Sequence, residues 1–173
     1  MLRRTHSLAG AISGYVVCPN LAGILIGSLA GVIADVDEPK GSVGRSMLLI
    51  SYPLNRAVGH RTFTHSILFS SLLFVFTLVI TAIASSMLHT HFTFEFAWAV
   101  LASTGSHILL DMLTGRVAVF WPSKKKIGIK MPLSMYFIVD KAFFVCLALS
   151  SIFVVFYHWR ENTIVSSLLA WLQ

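Results

Sequence analysis

Between Ser66 and Met87 the chain runs for 22 residues without a charged side chain, and Leu, Ile, Val and Phe fill most of it. At 1.5 Å per residue, a helix of that length crosses the ~30 Å hydrocarbon layer of a bilayer. The composition points the same way. Of the 173 residues 56% are hydrophobic and 12% charged, and soluble domains carry about 25% charged residues. A soluble globule of this make-up would leave extensive apolar surface in water, and disordered chains are far more polar. The length suits one domain, so residues 1–173 are expected to form a single integral membrane domain. The fold class expected is all-α, a polytopic membrane bundle of about five transmembrane or partly re-entrant helices.

The other segments follow from breakers and charges. No Lys, Arg, Asp or Glu occurs from Thr5 to Ala34, but Pro19 and Asn20 sit in the middle and predict a turn. Helices near 7–17 and 21–34 result, the second carrying Gly23, Gly27 and Gly31 at the spacing that lets helices pack closely. Each is short for a full span, so a helical hairpin or re-entrant pair is expected. Arg3 and Arg4 before an apolar run also fit a signal peptide, but no convincing A-x-A site follows. Within the polar stretch 36–65, Met47, Leu48, Ile50, Leu54 and Val58 predict a short interfacial helix. Further spans are expected at Phe94–Leu113 and about Tyr136–Tyr157, followed by an apolar tail at 163–172.

The net charge of +6 often signals nucleic acid, but no aromatic-interleaved basic tract is present, and no nucleic-acid partner is expected. In an apolar chain the cations are better explained as loops facing anionic headgroups. Lys40, Arg45, Arg56 and Arg61 lie in one loop and Arg116, Lys124, Lys125, Lys126 and Lys130 in another, whereas 88–95 has neither Lys nor Arg. The positive-inside rule makes the first two loops and the N-terminus cytoplasmic. Cys18 and Cys146 lie far apart without CxxC spacing and read as buried thiols.

Placed on this topology, seven ionisable residues fall at one membrane face: His6, Asp35, Asp37, His60, His65, His107 and Asp111. His107 and Asp111 are four apart and share a helix face. Asp35 and Asp37 stand two apart where a helix ends. His60 and His65 straddle a loop-to-helix junction, with Thr64 as the expected N-cap. Taken singly, each has an ordinary role as a packed histidine, a solvated helix end, or, for Asp111, a salt bridge to Arg116. Together, gathered where Asp is costly, they point to a divalent metal, Zn, Mn or Fe, and their number leaves room for two ions. His89, His91 and His158 fall at the opposite face.

The segments carrying these residues resemble a known family. His6, ADVDEPKG at 34–41, GHRTFTHS at 59–66, GSHILLDMLT at 105–114 and WPSKKK at 121–126 are similar to the YdjM-like inner-membrane proteins, described as LexA-regulated, membrane-bound predicted metal-dependent hydrolases. The resemblance spans 6–132 and leaves the last helix and tail, 133–173, uncovered. Ala34 stands where the family usually has Pro, Thr62 where it has Gly and Gly115 where it often has Pro. The resemblance implies a bacterial inner-membrane location and metal-dependent hydrolysis.

On that basis His6, Asp35, Asp37, His65, His107 and Asp111 are the expected ligands, with His60 either a further ligand or a proton carrier beside them. Arg61 reads equally as a bidentate clamp on an anionic substrate group and as a topology anchor. The lysines of 124–130 suit lipid headgroups. With no Gx-Ser-xG elbow and no P-loop, the expected substrate is a lipid-linked phosphate ester or other amphiphilic ester at the cytoplasmic interface. The alternatives are a metal or proton transporter, disfavoured because the ligands gather at one face instead of stepping across, and a structural metal without turnover.

Overall fold

The computed structural model describes residues 1–88 and 94–161, with side chains through Tyr157 at the C-terminal end. The described residues are helical throughout their regular structure. Five longer helices are α1 (Arg3–Val17), α2 (Leu21–Ile33), α5 (Ile67–Leu88), α6 (Glu95–Thr114) and α7 (Leu133–Glu161), and two short ones, α3 (Ser42–Ser46) and α4 (Leu48–Val58), lie in the polar stretch. Helices α5, α6 and α7 are long and apolar enough to cross a membrane. The 15-residue α1 and 13-residue α2 are not, in keeping with the short hairpin expected. Asn20 ends the turn between them by accepting a hydrogen bond from the Gly23 amide at 2.9 Å.

The hairpin closes on glycine. Gly10 and Gly14 of α1 meet Gly23, Gly27 and Gly31 of α2, and a Cβ on Gly14 would lie 2.8 Å from the Gly27 Cα. Only backbones without side chains approach this closely. Ser103 of α6 donates to the Gly10 carbonyl at 2.9 Å and locks the third helix onto the pair. Helix α6 is the centre of the bundle, touching α1, α2 and α5, while α7 packs along α1. Half of the apolar stretch of α6 is buried, against small fractions of α5 and α7, whose outer faces are apolar.

Two expectations need correction. Cys18 is buried but Cys146 is exposed, because α7 seats only one narrow stripe against α1. Thr64 does not cap α5. A 3-10 turn, Phe63–His65, separates it from the helix, and Ser66 takes the role, its hydroxyl accepting from the Phe69 amide at 3.2 Å.

Candidate metal centre

Five helix termini meet at one end of the bundle: the starts of α1, α5 and α7 and the ends of α2 and α6. From α6, His107 and Asp111 project one turn apart, both buried. His107 Nδ1 donates to the Gly31 carbonyl of α2 at 2.7 Å. Its proton is therefore on Nδ1, and Nε2 carries a free lone pair. His65 is fixed in the same sense. The Thr64 hydroxyl donates to Asp37 Oδ2 at 2.6 Å, so its oxygen accepts from His65 Nδ1 at 3.0 Å. The two Nε2 atoms face one another at 3.2 Å. Asp111 Oδ2 is 3.2 Å from His65 Nε2, and Asp35 Oδ1 lies 3.6 Å from His107 Nε2 and 3.8 Å from His65 Nε2.

One ligand atom from each of Asp35, His65, His107 and Asp111 thus falls within 4.8 Å of the others, close to the span of a coordination sphere with bonds of ~2.0–2.2 Å. Two imidazoles with inward lone pairs repel unless a cation lies between them. Outer hydrogen bonds that fix ring tautomers in this way are what metal-ligating histidines have. The residues fit a divalent ion, and the mixed nitrogen and oxygen set suits Zn, Mn or Fe. In the metal-free protein a proton meets the same demand: although burial opposes it, hydrogen bonds to Asp111 and Asp37 push the His65 imidazole up to about 9. Burial raises the pKa of Asp35, the most open of the four at 18% exposed.

The other expected site residues surround this quartet. Asp37, fully buried, accepts from His60 Nδ1 at 2.8 Å, from the Arg61 amide at 3.1 Å and from Thr64. Burial works against its charge, but the hydrogen bonds from His60 and His65 hold its carboxyl well below the usual carboxylate range. Asp37 therefore organises the 60–65 loop. His6 stacks on His107 with ring centroids 3.8 Å apart, and its Nε2 lies 3.1 Å from Asp111 Oδ1, so it donates to that carboxylate. The Met1 nitrogen reaches the same oxygen at 2.7 Å. Arg61 Nε is 3.0 Å from Asp111 Oδ2, and Arg61, not Arg116, is the arginine that pairs with Asp111. Arg61 has a φ of +59°, a left-handed conformation costing about 1 kcal/mol that the Asp37 contact to its amide secures. The geometry thus assembles all eight sequence-singled residues, four as a quartet and His6, Asp37, His60 and Arg61 as their hydrogen-bonding and ion-pairing neighbours. His89, His91, the His158 side chain and the tail lie outside the described residues.

Two residues of the assembly escaped sequence reasoning. Thr64 links Asp37 to His65, a role its TH pairing with His65 would allow but not reveal. Asp140 of α7 is buried and accepts from the Leu2 amide at 2.8 Å and the Thr5 hydroxyl at 2.9 Å, tying α7 to the first turn of α1 that carries His6. Its signal was present: a carboxylate two turns into an apolar span is expensive and needs a partner.

Apolar helices long enough to cross a bilayer, with a buried His and Asp quartet at one end, define a helical membrane protein with a candidate metal centre. The chain belongs to the family described as YdjM inner membrane protein, whose family profile matches residues 1–172. It is 36% identical over 97 residues to the inner membrane protein YdjM of Escherichia coli K12, covering 56% of this chain and 47% of that protein, and equally to the Shigella flexneri protein of that name. It is 28% identical over 110 residues to the Bacillus subtilis protein YvsG, covering 63% and 61% of the two chains. The matched region spans about half the length of the YdjM relatives. No solved structure matches.

Proposed function

We propose that this chain is a multi-pass, metal-dependent hydrolase of the bacterial inner membrane, its centre at the cytoplasmic interface, acting on a phosphoester or other ester of an amphiphilic substrate. One observation carries the reading: two imidazoles locked with free Nε2 atoms facing each other, flanked by two carboxylates. Asp35, His65, His107 and Asp111 would hold the ion. A divalent ion there supplies a Lewis acid for a carbonyl or phosphoryl oxygen and acidifies water.

The remaining work falls to the chain. His60 is a third exposed, and its Nδ1 proton is committed to Asp37. Its Nε2, 3.9 Å from the Glu38 carboxylate, would take a proton from water and return it to the leaving group. Buried Asp37 fixes that tautomer and stabilises the imidazolium that forms. His6 and Arg61 grip the two oxygens of Asp111 and hold its orientation. The partly open Asp35 marks the side on which substrate meets the quartet.

Burial of His65, His107 and Asp111 favours a second reading, a metal that staples helix ends with no turnover, since structural sites are coordinatively closed. Metal analysis of the purified protein beside a His65→Ala, Asp111→Ala double variant, with hydrolysis of lipid phosphoesters followed in both, separates the readings. The expected result is bound metal and turnover in the wild type and neither in a variant that still elutes as a single species. Equal metal content in both removes the centre. Metal without hydrolysis supports the structural role.

A further inference from the structure

Beyond α6 the chain turns back on itself against the centre. Val117 and Ile127 exchange backbone hydrogen bonds of 2.9 and 2.8 Å, and the Ile129 amide donates to the Met112 carbonyl at 2.8 Å. Two glycines permit this. Gly128 has a φ of +134°, and a Cβ there would lie 2.8 Å from the Met112 carbonyl oxygen; a Cβ on Gly115 would collide with the Arg61 guanidinium. The fold-back therefore seats Lys126 and Lys130 beside Arg61, and Lys126 Nζ is held 3.4 Å from the His60 carbonyl oxygen. Between them opens a pocket of about 480 Å³ walled by Arg61, Arg116, Lys126 and Lys130, with Thr114 at its side and no carboxylate in its lining.

Four cations around one opening repel one another and raise the local concentration of an anion. The planar guanidinium fork matches phosphoryl oxygens. Arg61 also reaches the quartet directly through its Nε contact to Asp111, so an anion held by its outer nitrogens would sit next to the metal ligands. We propose that this pocket binds the phosphoryl oxyanion of the substrate, which assigns the substrate class as phosphate esters. As a substrate site the pocket rests on the hydrolase reading, whereas anion binding itself does not.

The test is isothermal titration of the purified protein in nonionic detergent with dihexanoyl phosphatidic acid and, separately, inorganic phosphate. Saturable binding is expected, weakened by roughly tenfold or more in Lys126→Gln, Lys130→Gln, and by no more than about twofold in the neighbouring pair Lys124→Gln, Lys125→Gln. Tighter binding of phosphatidic acid than of phosphate identifies a lipid headgroup as the source, and equal binding identifies the phosphoryl group alone; both support the pocket. No saturable binding of either ligand, or equal effects of the two double variants, overturns it. Saturable binding by a protein that hydrolyses no phosphate ester leaves the pocket standing and removes the hydrolase reading, so the two failures are distinguishable.

Discussion

The centre depends on proton positions that single hydroxyls and carbonyls set. Thr64 has one proton to donate, and Asp37 receives it at 2.6 Å. The same oxygen must then accept from His65 Nδ1, which is why His65 Nε2 faces the quartet. Replacing Thr64, buried at 1% exposure, by isosteric Val removes both bonds while keeping the volume. Outer partners of metal ligands are typically worth about 10- to 100-fold in metal affinity, and a buried group left unpaired costs about 1–3 kcal/mol. Thr64→Val is therefore expected to weaken metal binding by about tenfold or more, measured by competition with a chelating dye, and to lower the thermal midpoint. Thr64→Ser, which restores the hydroxyl, is expected to return both close to wild type. Equal affinity in the Val and Ser variants would show that His65 is oriented by other means.

At the level of elements, glycines decide how helix ends converge. Gly27 is enclosed: a Cβ there would meet the Gly14 Cα at 2.8 Å and the Ser103 hydroxyl at 3.0 Å, whereas a Cβ on Gly105 of α6 meets nothing within 4 Å. Gly27→Ala is expected to destabilise the bundle by about 1–3 kcal/mol through overpacking. Gly105→Ala, which only removes backbone freedom in a helix, should stabilise it by about 0.5–1 kcal/mol. Unfolding of both variants in detergent measures the contrast, and a shift in the same direction would contradict the close α1 and α2 approach. This level also shows what the sequence could disclose. Apolar runs, Pro19 and Asn20 and the glycine spacing of α2 marked the helices, because those signals are local. Four of the seven singled acids and histidines formed the quartet, since helix ends collect what cannot enter an apolar layer. Gly10 and Gly14 carry the same four-residue spacing within α1, whereas the donor role of His6 toward Asp111 and the grip of Asp140 on α1 are contacts between distant segments. No spacing along one helix encodes them.

Across the whole molecule, charge and site coincide. The quartet sits at the ends of α2 and α6 and just before α5, and Arg61, Arg116, Lys126 and Lys130 cluster at that same end. Each cation left on the translocated side of a membrane works against insertion in that orientation. The end carrying the candidate metal centre is therefore expected to face the cytoplasm, with the segment between α5 and α6, which holds neither Lys nor Arg, on the other side. In a variant with Cys18 and Cys146 replaced by Ala, single cysteines introduced at Ser123 and at Thr90 report the two sides. A membrane-impermeant maleimide applied to intact spheroplasts should modify the cysteine at 90 and spare that at 123, and lysis should expose the second. Because α6 is of a length that crosses once, labelling at both positions before lysis would mean that it does not separate them across the bilayer and would overturn its assignment as a span. Labelling only at 123 would invert the bundle and place the centre outside.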